Sequence, residues 1–390
     1  MKTKNPLHFT QEQVTTILEH VAQEKGGFNK VLSYSLEALM RAERQIHNQN
    51  TNDVSNGYRW RKAFGMQKQL KLQVPRSRKH QFYPFLLAVL KDQEKEIREL
   101  AFKLYGSGLT TEQVGDIFDE IYGKKYSTSQ VSRLFDYARE DVKEWLGRPL
   151  QSYYPIIYID ATYISTRRGE SVSKEAYFTI LGVLPDRTRE VLSIVNFPTE
   201  SATAWREVAQ ELKARGVNKI DLVISDALSG IEESLASEFS KISHQFCIFH
   251  LKKNVLSNIK PKDKPGIVEE LKEVIKVDDP NDTIEKSWQR WIGFIDKHSV
   301  KYPSLEKMKS ERYRHYFTYV KYDYRIRSMI YTTNWIERLN RDYKRTTRMR
   351  GALPNPDATM LLLGYVAMNK KAYFRKVPKL NYDKSFQWEE

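Results

Sequence analysis

A chain of 390 residues is too long for one simple core and predicts two to four domains, which a hydrophobic fraction of 40% is enough to build. Its 64 Lys and Arg against 49 Asp and Glu leave a formal net charge of +15, so the expected partners are polyanions, nucleic acid among them. The single cysteine, Cys247, excludes an intramolecular disulfide framework and a zinc site built on paired thiolates, and it fits a reducing cytoplasmic compartment. No signal-peptide core follows the N-terminus and no apolar run is long enough to span a bilayer.

From Thr10 to about His47, Val14, Ile17, Leu18 and Val21, then Val31, Leu32, Leu36, Leu39 and Met40, recur at helical spacing. Broken at Gly26 and Gly27, they predict a helical pair over residues 1–50. Asn48 to Asn56 has linker composition. Residues 51–90 are a basic segment in which Arg59, Arg61, Lys62, Lys68, Lys71, Arg76, Arg78 and Lys79 are interleaved with aromatic residues. Within it Leu70, Leu72 and Val74 alternate with Lys71 and Gln73, a strand signature. Its cations are either a solvated face or phosphate contacts, with Arg76 and Arg78 as candidates.

Residues 91–148 predict helices at Asp92 to Tyr105, Thr111 to Ile121 and Ser127 to Tyr137, with Thr110 or Thr111 and Ser127 or Thr128 as caps. This is either a helix-turn-helix unit or an ordinary three-helix domain. In the first case the third helix presents Ser129, Gln130 and Arg133 to DNA, with Lys124 and Lys125 beside it.

Strands are then expected at Tyr154 to Asp160, Ala176 to Leu184, Val191 to Phe197, Leu222 to Ser225 and Gln245 to Phe249. Helices are expected at Ala202 to Arg215 and Gly230 to Phe239. The turn PDRTRE makes the second and third strands a hairpin. This is the order of a ribonuclease-H-like mixed sheet, an α/β core formed by residues 149–250 and 331–371. Residues 251–330 are an all-helical insertion whose Trp288 and Trp291 are either core or platforms for a DNA base. A last helix is expected to run on through LLLGYVAMNKKAYF, leaving 372–390 as a loose tail.

In such a sheet the ends of the first and fourth strands are neighbours, which sets Asp160 beside Asp226. An Asp at a strand end is either a turn-former or a metal ligand. Carboxylates are the ligands that hard divalent ions prefer, and two such ions are the usual means of breaking and joining phosphodiesters without a covalent enzyme intermediate. A third acid is needed. Glu337 is the candidate, on the helix that returns after the insertion among Arg338, Arg341, Lys344 and Arg345; its alternative is a surface pair with Arg341.

Several motifs in fixed order carry a resemblance. They are VPRSR at Val74 to Arg78, YGSGLTTEQV, YSTSQVSRLFD, LGRPL, YIDATY, VISDALSG, CIFHLKKNV and TTNWIERLNRDYKRTTRMRG. From about Asn56 to Lys371 the chain resembles the bacterial Mutator-type DDE transposases, the insertion sequence 256 group. The resemblance implies a DDE triad of Asp160, Asp226 and Glu337 holding two Mg²⁺ or Mn²⁺ ions. It also implies a Cys-x-x-His motif, here Cys247 and His250, with His250 at the scissile phosphate or the site's edge and Cys247 buried. The cations Arg338, Arg341, Lys344, Arg345 and Arg348 then become phosphate contacts. The implied activity is recognition of terminal inverted repeats in double-stranded DNA, 3′-end cleavage and strand transfer, through a circular intermediate and as a homodimer at the bacterial nucleoid. A hydrolytic nuclease of the same fold and an inactive DNA-binding regulator are the alternatives.

Overall fold

The helical spacing between Val14 and Met40 folds as two helices, α1 (Gln11–Gln23) and α2 (Gly27–Thr51). The computed structural model describes residues 10–23, 27–64, 69–79, 82–122, 126–197, 202–370, 373 and 375–377. It divides into two units, Met1–Ala138 and Arg139–Glu390. Among the described residues no helix is long and apolar enough to cross a membrane.

In the first unit α2 continues into the expected linker and the chain turns only at Asn52, whose φ is 53°. A hairpin of β1 (Ser55–Phe64) and β2 (Gln69–Ser77) follows, antiparallel, with Arg61 opposite Leu72 and Lys62 opposite Lys71. Leu70, Leu72 and Val74 sit with Ala63 in a core closed by Met40 of α2 and by Leu87 and Leu90 of α3 (Phe85–Gly106). The carboxylate of Asp53 accepts the Val54 and Lys79 amides at 2.7 and 3.2 Å, tying the two ends of the hairpin together.

The expected helices over residues 91–148 become α3, α4 (Thr111–Tyr122), α5 (Thr128–Leu134) and α6 (Asp136–Gly147), which crosses into the second unit. Ser127 caps α5 reciprocally: its hydroxyl accepts the Gln130 amide at 3.3 Å, and the Gln130 side-chain oxygen accepts the Ser127 amide at 2.9 Å. The third helix is shorter than expected because Phe135 ends it and turns inward. Its ring lies 5.1 Å from Phe102 and 4.7 Å from Tyr105. Gly115 lets α4 approach the start of α5 closely, since a Cβ there would meet the Tyr126 carbonyl oxygen at 2.6 Å. Lys124 and Lys125 lie outside the described residues.

The second unit is built on a five-stranded mixed sheet of β3 (Tyr153–Arg168), β4 (Ser171–Val183), β5 (Arg189–Phe197), β6 (Lys219–Ser225) and β7 (Ser243–Phe246), in the order β5-β4-β3-β6-β7. The pairs β3/β4 and β4/β5 are antiparallel, and β3/β6 and β6/β7 are parallel. Between the strands run α7 (Ala202–Ala214) and α8 (Ile231–Ala236), and their Trp205, Val208, Leu212 and Leu235 join Ile157, Ile159, Phe178 and Ile180 in one core. Gly182 is small because the Tyr154 ring crosses it; a Cβ would stand 2.6 Å from that ring. The Tyr154 hydroxyl in turn donates to Glu190 at 2.7 Å.

Two boundaries differ from the sequence reading in ways that matter for the site. β3 does not stop at Asp160 but runs on to Arg168, paired there with β4 and no longer with β6, so Asp160 stands where the parallel neighbour β6 leaves the sheet. β7 ends at Phe246 and α9 (Ile248–Ser257) begins directly after Cys247, so His250 is a first-turn helical residue and not part of a strand.

The insertion comprises the rest of α9, then α10 (Lys264–Val274), α11 (Ile284–Ser299), 3-10 segments at Pro303–Lys309 and Glu311–Lys321, and α12 (Tyr324–Ile330). Trp288 and Trp291 are buried within it, and the Trp291 indole donates to the Met308 carbonyl at 2.9 Å. Both are core residues, and stacking on DNA is closed to them. The last helical stretch is two helices, α13 (Asn334–Thr347) and α14 (Pro356–Met368), because Gly351, Pro354 and Pro356 interrupt it. In the break Leu353 adds a short bridge to β3, its amide donating to the Ser165 carbonyl at 2.9 Å.

Candidate active site

Parallel pairing fixes the first two acids. Tyr158 faces Ile224 across β3 and β6, so two residues further along each chain Asp160 and Asp226 emerge side by side. Each is held by the amide that follows it: Ala161 N donates to Asp160 Oδ1 at 2.9 Å and Ala227 N to Asp226 Oδ1 at 2.8 Å. This is turn-type bonding, and it engages only one oxygen of each carboxylate.

The corner between β7 and α9 braces the same place. The Cys247 amide donates to the Ser225 carbonyl at 2.7 Å, and the Ile248 amide donates to the Tyr331 carbonyl at 3.0 Å. Cys247 is fully buried, its sulfur 3.5 Å from the Thr333 hydroxyl at the start of α13. One turn into α9, His250 Nδ1 lies 3.8 Å from Asp226 Oδ1. The adjacent Cys247 side chain and the carboxylates of Asp226 and Asp160 raise its pKa to about 9, against the effect of burial. At neutral pH it is a cation among acids.

α13 brings the third acid. Ile336, Leu339, Tyr343 and Thr346 face the interior, while Glu337, half-buried in its first turn, heads an exposed row of Arg341, Lys344 and Arg348, with Arg338 and Arg345 beside it. Burial pushes the Asp160 carboxyl up to about 6, and the like charges of Asp226 and Glu337 act in the same direction while His250 opposes them. Glu337 is thus near enough to bear on the Asp160 carboxyl, as the smallest of these influences. Among the described residues, however, no three His, Cys, Asp or Glu side chains close on one point as an ion's ligand shell.

Two contributors were missed in the sequence. Asn340, one turn beyond Glu337, donates its amide to Asp160 Oδ2 at 2.8 Å and is itself buried. The signal for it was a polar residue on the apolar face of an amphipathic helix. Arg312, from the insertion, pairs with Glu232 at 2.6 Å and donates to the Leu228 carbonyl at 2.6 Å, pinning the loop that follows Asp226. Nothing in its local sequence marks it.

In the first unit, Ser129, Gln130 and Arg133 are exposed on α5, though the Gln130 side-chain oxygen is committed to the cap and Arg133 Nε donates to the Ser129 carbonyl at 3.3 Å. Arg78 is exposed at the end of β2, and Arg76 is half-buried.

A family model described as Transposase, Mutator family, matches residues 8–376. The chain belongs to the Mutator family of transposases. The match includes the N-terminal helical pair, so the likeness reaches beyond the residues from Asn56 to Lys371 on which the sequence motifs rest. Among individual members of the family, the chain is similar to the transposase for insertion sequence element IS905 of Lactococcus lactis, 29% identical over 290 residues, 74% of this chain and 72% of the relative. It is also similar to the transposase for IS256 in transposon Tn4001 of Staphylococcus aureus, 27% identical over 375 residues, 93% and 95% of the two chains. The transposase for IS1201 of Lactobacillus helveticus is 26% identical over 365 residues, 93% and 96%.

Proposed function

We propose that this member of the Mutator family is a DDE transposase that binds the terminal inverted repeats of its element in double-stranded DNA, cleaves at a 3′ end and transfers that end to a second phosphodiester. The observation that carries the reading is the coupling of Asp160, Asp226 and Glu337 at the point where β6 leaves β3. A sheet of this strand order, with its acids at that point and a helical insertion before the third, supports a ribonuclease-H-like catalytic core. Homodimeric assembly, a circular intermediate and a place at the bacterial nucleoid rest on the family resemblance alone.

The donor set suits a pair of hard divalent ions, Mg²⁺ or Mn²⁺. Carboxylate oxygens dominate it, and burial and two like charges bear on Asp160. Bound there, such ions activate an attacking hydroxyl and neutralise the departing oxygen. Asp160, Asp226 and Glu337 would hold them, with Asn340 orienting the Asp160 carboxylate. His250, as a cation, sits where a scissile phosphate is drawn in. Arg338, Arg341, Lys344, Arg345 and Arg348 continue from Glu337 as a track for the flanking backbone.

The test is incubation of the purified chain with a labelled duplex carrying one element end, with Mg²⁺ and with chelator. A nick at the element boundary followed by a joined product is expected. Scission without joining points to a hydrolytic nuclease, and binding without scission to a regulator. Asp160→Asn is expected to lower cleavage by at least about a thousandfold while end binding stays within about threefold, as for loss of a group acting only in the transition state.

A further inference from the structure

The basic hairpin of the first unit contains a pocket that duplex binding leaves unexplained. Residues 54–91 hold nine Lys and Arg and not one Asp or Glu. The carboxylates that α2 turns toward them are occupied, Glu37 by the Gln73 amide at 2.7 Å and Glu43 by the Leu86 amide at 3.3 Å. β1 is solvent-exposed from Ser55 to Lys62, and Tyr58 and Trp60 stay 45% and 56% exposed on it. Its shape is nonetheless fixed. The Arg44 guanidinium donates to the Gly57 carbonyl and the Tyr58 hydroxyl, both at 3.1 Å, and to the Arg76 carbonyl at 3.4 Å.

Alternation divides the cations between two faces. Trp60, Lys62 and Lys71 share the outer one, with the Lys71 ammonium 4.7 Å from the Trp60 ring centre. Arg59 and Arg61 share the other with Ala63. There, with Trp60 and Lys62 also in its lining, they border a pocket of about 500 Å³ whose floor is Ala63, Leu87 and Leu90 and whose wall includes Tyr83, an exposed aromatic residue.

A duplex offers this pocket only phosphates, which the arginines can hold but which have no use for a tyrosine and an aliphatic floor. A paired base keeps its faces hidden in the stack; an unpaired one presents a flat apolar face with a phosphate on each side. We propose that the pocket between β1 and the start of α3 takes one unpaired DNA nucleotide, its base against Tyr83 over the Ala63, Leu87 and Leu90 floor and its flanking phosphates on Arg59 and Arg61. The proposal rests on the reading of the chain as a DNA-processing enzyme, in which strand cleavage and fraying of the ends create such nucleotides. It makes this part of the first unit a reader of strand ends, where the exposed face of α5 reads the duplex.

The test compares full-length protein binding to a duplex of about 20 base pairs, blunt or with two unpaired 3′ nucleotides, at several salt concentrations. Stacking of one base is worth about 1–3 kcal/mol, so the overhang is expected to bind at least about fivefold more tightly. Tyr83→Ala removes that preference and leaves blunt-end affinity within about twofold; Tyr83→Phe keeps it. Arg59→Gln with Arg61→Gln lowers the slope of log affinity against log salt for the overhang by about 0.7 per lost contact. Thermal unfolding of each variant checks that the hairpin still folds, which the exposure of all three side chains favours. Absence of an overhang preference in the wild type, or its persistence in Tyr83→Ala, overturns the proposal, as does an equal loss for both duplexes, which marks a simple phosphate patch. Failure of the wild type to bind either duplex overturns the underlying reading instead.

Discussion

Asn340 is placed to act on the proposed site through Asp160. Its amide hydrogen-bonds the Asp160 carboxylate from α13, and its own carbonyl oxygen is buried without a partner. Asn340→Asp replaces a donor by an acceptor facing Asp160. Cleavage is expected to fall at least about a hundredfold with DNA affinity little changed, and Asn340→Ala is expected to be milder in a cleavage assay at the same enzyme concentration. His244 is a second informative residue. It is buried with neither ring nitrogen hydrogen-bonded, near Glu232, His315 and Arg312, and burial lowers its pKa to about 4. Because the unfolded chain binds this proton more readily, stability is complete above the ordinary histidine pKa near 6.5 and is lost as pH falls from there toward 4, by up to about 3 kcal/mol. Chemical denaturation at pH 7 and pH 5 checks this, with His244→Phe expected to flatten the difference.

At the scale of elements, legibility followed the strength of the burial pattern. The strands of the second unit were readable because β-branched and aromatic runs buried on both faces are hard to mistake, and α13 because its apolar and charged faces separate cleanly. β1 was not readable: exposed from Ser55 to Lys62, it carries no alternation of burial over that run, and only its pairing with β2 makes it a strand. The outer half of β3 was missed for a related reason, since its Thr162, Ser165 and Thr166 look like a loop until β4 pairs with them. Asp160 and Asp226 were found through topology, whereas Asn340 and Arg312 depend on contacts across the fold that spacing does not encode. Elements also fix what substitution costs. Gly182→Ala drives a methyl into the buried Tyr154 ring and is expected to destabilise the sheet by about 1–3 kcal/mol, measurable as a lowered unfolding midpoint.

For the whole molecule, the formal charge of +15 is distributed with purpose: an acid-free run over residues 54–91, an exposed cationic row on α13, and acids concentrated where β3, β6 and α13 meet. If the chain binds duplex DNA as proposed, its affinity is expected to fall steeply with salt, whereas the ratio between sequences changes less; competition binding at low and physiological salt measures both. The order of these parts along the chain has a consequence during synthesis. The basic hairpin and α3 to α5 are all encoded before Ala138, while Glu337 and Asn340 lie on the next-to-last helix. Domains fold in turn as they leave the ribosome, so under the proposed function a nascent chain would hold DNA before it could cut it. A prematurely terminated product would then compete for the ends rather than act as a stray nuclease.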